Sequence, residues 1–344
     1  MNYYSLLIIT IIFLSLYFFL SRFSILREDT NYSIHKKFGK NNKNPIVLGG
    51  IYFLIVILIL IPNLSIIYKS ILILITVLGI LSDKNILPNP KIRLLIQICL
   101  IFYLVYGEGL NINDLKVDFL NSLLSIEFLN LAFLVFCLVI LMNGSNFIDG
   151  LNGLLSGYYL IVIMSLFILD YHNDGIFLND KIFLKIIFFS LLLFFIFNLL
   201  GYVYLGDSGS YLISLLIGVY LIKFYSLNPN YSSPYYIACL LWYPAFENFY
   251  SISRRILIKQ NLSKPDNQHL HQLFFLFLKD NRLIKNKNPN SISGILIVIL
   301  NIPSMVISTL YASHTKILVM IILSNILLYC LCYYILSQKI LGKK

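Results

Sequence analysis

Charge is what this chain has least of. Only 12% of its 344 residues are charged, against roughly 25% in an ordinary soluble domain. A soluble enzyme needs a hydrated, charged surface and a disordered chain needs few apolar residues, so both are excluded. Glycine (17) and proline (10) are too sparse for a collagen-like or linker-rich chain. The five cysteines, Cys99, Cys137, Cys239, Cys330 and Cys332, all lie inside apolar runs without a Cys-x-x-Cys spacing. They exclude a disulfide framework and a thiolate metal or redox centre, and read as small apolar residues. What is abundant is apolar: 59% of the residues are hydrophobic and the mean hydropathy is +0.83. That balance describes an all-α polytopic membrane protein.

Crossing about 30 Å of hydrocarbon takes about 20 apolar residues in a helix. Eleven candidate runs are present, at roughly residues 3–20, 46–61, 66–81, 92–106, 128–142, 154–169, 182–200, 211–225, 235–252, 292–310 and 317–337. They are continuous and not alternating, which excludes a β-barrel. The first run lacks the basic start and small-residue cleavage site of a signal peptide and is taken as a span. No internal repeat or separate soluble domain is evident, so residues 1–344 are expected to form one integral membrane domain. The longest loop, about residues 253–291, is too short and too charged for a core of its own.

The formal charge of +11 would suggest nucleic acid in a soluble protein. Here it is explained by topology, and no nucleic-acid partner is expected. Eleven crossings place 20 of the 26 basic residues on one side, among them Arg22, Arg27, Lys36, Lys84, Lys91, Arg93, Arg254, Arg255 and Lys264. The positive-inside rule makes that side cytoplasmic, with the N-terminus outside and the C-terminus inside. The opposite loop, residues 107–127, is acidic (Glu108, Asp114, Asp118, Glu127). Anionic headgroups and nucleotides would be attracted to the basic side.

Four polar clusters fall on that basic face. The first runs from Gly79 through Ser82, Asp83 and Lys84 to Lys91, Arg93 and Gln97. The second holds Asn143, Asn146, Asp149, Gly150, Asn152 and Gly153. The third is Asn198 with Tyr204, Gly206, Asp207, Ser208 and Ser210. The fourth is Arg254 and Arg255 followed by Pro265, Asp266, Asn267, Gln268, His269, His271 and Gln272. Acids at membrane depth are costly unless paired or bound to a cation. Hard oxygen ligands beside a phosphate suit Mg²⁺, and a glycine-flanked helix start favours anions. Together the clusters describe a site for a magnesium-bound diphosphate at the membrane surface. Singly, each has a plainer reading. Asp149-Gly150 and Asn152-Gly153 are good turn pairs, Asp207-Ser208 is a good helix cap, and Arg254-Arg255 is a good topology signal. His269 in a basic loop is ordinarily solvated, and Asp83 could pair with Lys84 or Lys91. Glu247, inside the ninth run, is expected to face the bundle interior or a cytoplasmic cavity.

At these residues the chain resembles the polyprenyl-phosphate N-acetylhexosamine-1-phosphate transferases, the MraY and WecA family of glycosyltransferases. The matching segments are residues 79–83 with Gln97, residues 143–154, residues 204–210 and residues 265–272, preceded by Gly49-Gly50 after His35, Lys36 and Pro45. The resemblance implies ten or eleven transmembrane helices around a cytoplasm-facing cleft. It implies transfer of a sugar-1-phosphate from a UDP-sugar to polyprenyl phosphate with release of UMP, in a bacterial inner membrane, and it admits a homodimer. Mg²⁺, with Mn²⁺ as an alternative, would be held by Asp207 with Asn146. Asp83, Asp149 and Asp207 would form the catalytic centre. Asn146, Asn152 and Asn198 would position nucleotide or phosphate, and Tyr204 would stack on uracil. Lys84, Arg254 and Arg255 would offset phosphate charge, and His269 and His271 would contact the diphosphate or sugar.

Three residues depart from the family pattern. Ser82 replaces the first of a paired aspartate, Gln272 replaces the last histidine, and Asn152 stands where MraY has aspartate. The last segment is closer to WecA-type enzymes, which start O-antigen or other surface glycans. Phospho-MurNAc-pentapeptide transfer, an inactive scaffold, and a transporter or lipid flippase are the competing readings.

Overall fold

Peptide groups in an apolar run have no water to bond and must satisfy one another, so such runs become helices. The computed structural model describes residues 3–23, 26, 45–173, 175, 178, 180–260, 266, 268–279 and 288–341. In chain order its elements are α1 (Tyr3–Phe23), β1 (Ile46–Val47), α2 (Gly49–Leu60), α3 (Ile66–Asp83), α4 (Pro90–Gly107), α5 (Asp118–Leu124), α6 (Glu127–Ile148) and α7 (Leu154–His172). They continue as α8 (Lys181–Leu199), β2 (Val203–Tyr204), α9 (Gly206–Leu227), α10 (Pro234–Leu240), α11 (Trp242–Leu257), α12 (Leu270–Lys279), α13 (Pro289–Leu310) and α14 (Thr315–Leu341). His35, Pro265, Asn267 and the basic residues Arg27, Lys36, Lys37, Lys40, Lys43, Lys264, Arg282, Lys285, Lys287, Lys343 and Lys344 lie outside the described residues.

Among the described residues nine helices are long and apolar enough to cross a membrane: α1, α3, α4, α6, α7, α8, α9, α13 and α14. The two other expected runs are helical but different in form. The second is α2, 12 residues long, about 18 Å at 1.5 Å per residue. Its Tyr52, Phe53, Val56 and Ile57 are fully buried. The ninth run is divided at Leu241 into α10 and α11. Pro244 explains the break, because it has no N–H to give residue 240 and its ring would strike that carbonyl in a continuous helix. The charged loop before α13 is also not wholly loop, since it contains α12, which packs between α13 and α14.

The centre of the bundle is α9, 78% buried over its apolar window, with α7 at 72%, whereas α1, α4 and α14 are at 17–22% and form the rim. Ser208, Gly209, Ser210, Ser214 and Gly218 let α9 lie close to α2, α3 and α6. At Gly79 a Cβ atom would come within 2.2 Å of the Ser208 Cα, so only glycine permits the contact of α3 with α9. A two-residue parallel pairing joins Ile46 to Val203 and Val47 to Tyr204. It pins the start of α2 beside the segment that leads into α9.

The end of the bundle that carries loop 107–127 is held by polar ties. Lys223 reaches Glu108 at 2.7 Å. The buried Asn130 accepts from Ile112 N at 3.2 Å and donates to the carbonyls of Ile112 (2.6 Å) and Leu124 (3.1 Å). At the opposite end, the C-termini of α3, α6 and α8 meet the N-termini of α9 and α13.

Candidate active site

The starting point is the first turn of α9, whose free N–H groups need acceptors. Asp83, the last residue of α3, supplies them. Its Oδ1 accepts from Asp207 N at 2.8 Å, and its Oδ2 accepts from Ser208 N at 3.2 Å and Ser208 Oγ at 3.0 Å. Gly206, at φ +70°, sits against this carboxylate, where a Cβ would lie 2.7 Å from Oδ2. The sequence suggested that Asp83 pairs with Lys84 or Lys91 or joins the chemistry; the structure shows it capping α9.

Asp207 is turned the other way, toward α4 and α6. Its Oδ1 accepts from Asn146 Nδ2 at 2.7 Å, and Asn146 also reaches Ser210 Oγ at 3.1 Å. Its Oδ2 pairs with Arg93 at 3.0 Å, both side chains being 24% exposed, and accepts from the Ser82 hydroxyl. The hydroxyl at residue 82 is compatible with this arrangement, whereas a carboxylate there would stand against Asp207 and repel it. In the sequence Arg93 belongs to the first polar cluster but carries no assigned role. Its signal was the i,i+4 spacing from Gln97, which places both on one face of α4. Gln97 accepts from Asn143 of α6 at 2.9 Å.

Asp149 follows Asn146 by one turn, as the C-cap of α6. It opens a small polar cavity, partly open to solvent, lined by residues 149–152, Asn198, Tyr204 and Asn290. Asn198 uses both ends of its amide on backbone, accepting from Gly153 N at 2.6 Å and donating to Val203 O at 2.7 Å. It shapes the cavity by fixing the loops on either side. Asn290, at the start of α13, was not anticipated; no motif marks it in the sequence.

The fourth cluster closes the site from α11 and α12. His269 is 5% exposed and His271 fully buried, so the plainer alternative of a solvated His269 does not hold. His269 Nδ1 lies 2.9 Å from Glu247 Oε1, and its ring packs on Phe147 at 5.2 Å and on His271 at 5.5 Å. Glu247 is 1% exposed and faces the bundle interior, as expected. His271 abuts Gly150, where a Cβ would come within 2.5 Å of its Nε2, and so the histidines reach the wall of the cavity. Arg254 pairs with Asp266 and donates to Gln268 Oε1 at 2.5 Å. It is thus committed to holding the histidine segment as well as carrying charge. Arg255 is 8% exposed. Lys84 stays exposed at the end of α3 and forms no ion pair among the described residues.

Burial works against the Asp266 carboxylate, but His269, the Ser251 hydroxyl, Arg254 and the Gln268 amide outweigh it and hold its pKa below the usual range. A carboxyl group lowered on folding stabilises the fold above its unfolded pKa, about 3.9. That stabilisation is lost as pH falls through the folded value. Thermal unfolding of the detergent-solubilised chain between pH 7 and pH 3 is expected to show this loss. An Asp266→Asn chain should start less stable at pH 7 and lose less on acidification.

The site therefore gathers three partly exposed aspartates, Asp83, Asp149 and Asp207, with neutral oxygen donors, a guanidinium, a polar cavity and two buried histidines. Asp207, the Asn146 amide oxygen and the Ser82 hydroxyl are hard donors. Among the described residues no group of three or more His, Cys, Asp or Glu side chains comes together that could hold a metal ion. A cation here would complete its shell with water and ligand phosphate, the habit of Mg²⁺.

Comparison with known proteins adds a lineage. Residues 64–225 match the model of glycosyl transferase family 4. The chain is 30% identical over 224 residues to a probable undecaprenyl-phosphate N-acetylglucosaminyl 1-phosphate transferase of Bacillus subtilis, covering 61% of this chain and 58% of that relative. It is 30% identical over 144 residues to an undecaprenyl-phosphate alpha-N-acetylglucosaminyl 1-phosphate transferase of Thermotoga maritima, 42% of each chain. It is likewise 30% identical over 134 residues to a phospho-N-acetylmuramoyl-pentapeptide-transferase of Listeria innocua, 39% of each. The chain thus spans 58% or less of the length of these curated relatives.

Proposed function

We propose, from the match of residues 64–225 to the model of glycosyl transferase family 4, that this chain transfers an N-acetylhexosamine-1-phosphate from a UDP-sugar to polyprenyl phosphate, releasing UMP. One observation carries the reading. Asp207 is held by Asn146, Arg93 and Ser82, and Asn146 lies one turn of α6 before Asp149, where the polar cavity begins. A diphosphate laid between them would have its charge beside the carboxylate and its nucleoside in the recess.

A phosphate oxygen of the carrier lipid attacks the β-phosphorus of the UDP-sugar. The new P–O bond forms as the bond bridging the two phosphoryl groups breaks, and UMP leaves. The sugar–oxygen bond is untouched, so anomeric configuration is retained. A phosphate monoester, with a second pKa of about 6, is already an anion at neutral pH, so a base at residue 82 is not required. Mg²⁺ or Mn²⁺ held by Asp207 and Asn146 would neutralise charge on the diphosphate. Arg93 and Arg255 are the cations within the bundle that share that task, and His269 and His271 face the diphosphate or sugar. Tyr204 stacks on the base, and Asn152 meets it. Positioning and electrostatics supply the catalysis.

We further read the chain as one domain over residues 1–344 with eleven crossings, the short α2 and the divided α10–α11 each counting as one. On this reading the N-terminus is outside and the site faces the cytoplasm of a bacterial inner membrane. Undecaprenyl phosphate is the acceptor named for two relatives, and the product would open an O-antigen or other surface glycan. The Listeria relative supports a second donor, a UDP-MurNAc-pentapeptide. Gathering of the acids at one end of the bundle supports transfer chemistry over transport, which places polar groups at the midplane.

The test is purified chain with Mg²⁺, undecaprenyl phosphate and single UDP-sugars, following UMP and the mass of the lipid product. UMP release with a UDP-N-acetylhexosamine is expected. Release only with the pentapeptide donor selects the second reading, and no release with any donor overturns both.

A further inference from the structure

Two amides in the cavity have orientations that the protein itself decides. A backbone N–H can only donate. That of Asn152 donates to Oδ1 of Asn290 at 2.7 Å, so Nδ2 of Asn290 must be the other branch of the amide. The Ser291 hydroxyl gives its one proton to the Leu199 carbonyl at 2.7 Å. Its oxygen is left to accept from Asn152 Nδ2 at 3.5 Å, and Asn152 is thereby left with Oδ1 for a ligand. Asn290 and Asn152 are 2% and 6% exposed, and both line the cavity. Among the described residues neither Asn290 Nδ2 nor Asn152 Oδ1 has a hydrogen-bond partner. Asn198 beside them has both ends engaged. The cavity, which Tyr204 also lines, therefore offers one donor and one acceptor from two residues that touch each other.

We propose that Asn290 is a specificity-determining residue that reads the base of the nucleotide. Its Nδ2 donates to a uracil carbonyl while the neighbouring Oδ1 of Asn152 accepts from the adjoining imide N–H. The assignment rests on the proposed UDP-sugar donor and adds to it the group that selects uracil. Cytosine would place an unprotonated ring nitrogen against Asn152 Oδ1, acceptor against acceptor. Sites built to hydrogen-bond a ligand group reject the analogue lacking it strongly, because their own buried polar atoms are then left unpaired.

The experiment is equilibrium binding of UDP, CDP and GDP to the full chain in detergent. The parent should prefer UDP over CDP by about 100-fold or more and bind GDP no better than CDP. Asn290→Asp keeps an oxygen for the Asn152 N–H and replaces the donor by an acceptor. It is expected to lower the UDP-to-CDP preference by about 10-fold or more; that ratio cancels the effect of the added charge on the shared diphosphate. An unchanged ratio overturns the assignment and leaves the UDP reading standing. A parent chain that binds neither UDP nor CDP, or binds GDP as well as UDP, overturns both. If Asn290→Asp does not fold, the parent chain decides the matter with 4-thio-UDP and 3-methyl-UDP. Weaker binding of both is expected, and binding equal to UDP overturns the assignment.

Discussion

An Asp207→Ala chain is expected to release UMP at about one-thousandth of the parent rate or less, the scale of losing a principal charge-stabilising group, and to lose its response to Mg²⁺. Asp207 is partly exposed and, unlike Asp83, does not accept from the α9 backbone; it has Asn146 on one oxygen and Arg93 on the other. Removing it leaves Arg93 without its partner and the diphosphate without the group that would carry a cation. Asp207→Asn keeps the volume and an acceptor for Arg93, and should be nearly as inactive. Because both side chains of the ion pair are 24% exposed, thermal unfolding of either variant is expected to stay close to the parent. UMP release across a Mg²⁺ titration checks the first statement and a melting curve the second. An Asp207→Ala enzyme of full activity would sink the assignment.

An Asp83→Ala chain should fail differently, in stability first. Its carboxylate takes bonds from two backbone N–H groups of the α9 first turn and from the Ser208 hydroxyl. Losing a cap costs about 1 kcal/mol and stranding buried donors about 1–3 kcal/mol. The melting temperature is therefore expected to fall by several degrees. UMP release should fall by about 100-fold, because a displacement of about 1 Å in a reacting group costs that much and Asp83 sets the position of the Asp207 backbone. Asp83→Asn keeps one acceptor oxygen and should recover part of the stability and part of the rate together. The contrary result, an unchanged melting temperature with lost activity, would move Asp83 from capping into the chemistry.

The two aspartates show where reading a chain stops. Sequence placed both at helix junctions on one face, and both are there. It had no means of telling a capping carboxylate from a ligand-facing one, because that depends on which donors lie across a gap of 124 residues. Glycine carried a similar ambiguity. Gly206 suggested approach of backbone to a ligand, and what lies against it includes the Asp83 carboxylate; Gly79 likewise meets protein, Ser208. The ninth apolar run reads as one span because hydropathy sums over a window, whereas Pro244 acts on a single hydrogen bond and divides it. For His269 a solvated loop position was the plainer alternative, because its neighbours in sequence are polar. Its neighbours in space are Glu247, Phe147 and His271.

Composition and hydropathy alone determined that this is a helical membrane protein, because hydrocarbon allows a continuous apolar run only one way to satisfy its backbone. The placing of Asp83, Asn146, Asp149, Asp207 and the histidine segment on one face, with the family resemblance, also pointed to which stretches would meet. Only the tertiary structure decided which atom of each faces a neighbour and which faces a ligand, how Arg93 comes to stand at Asp207, and that Asn290 closes the cavity. Those outcomes depend on hydrogen bonds between residues far apart in the chain, whose direction is set by the donors and acceptors already committed around them.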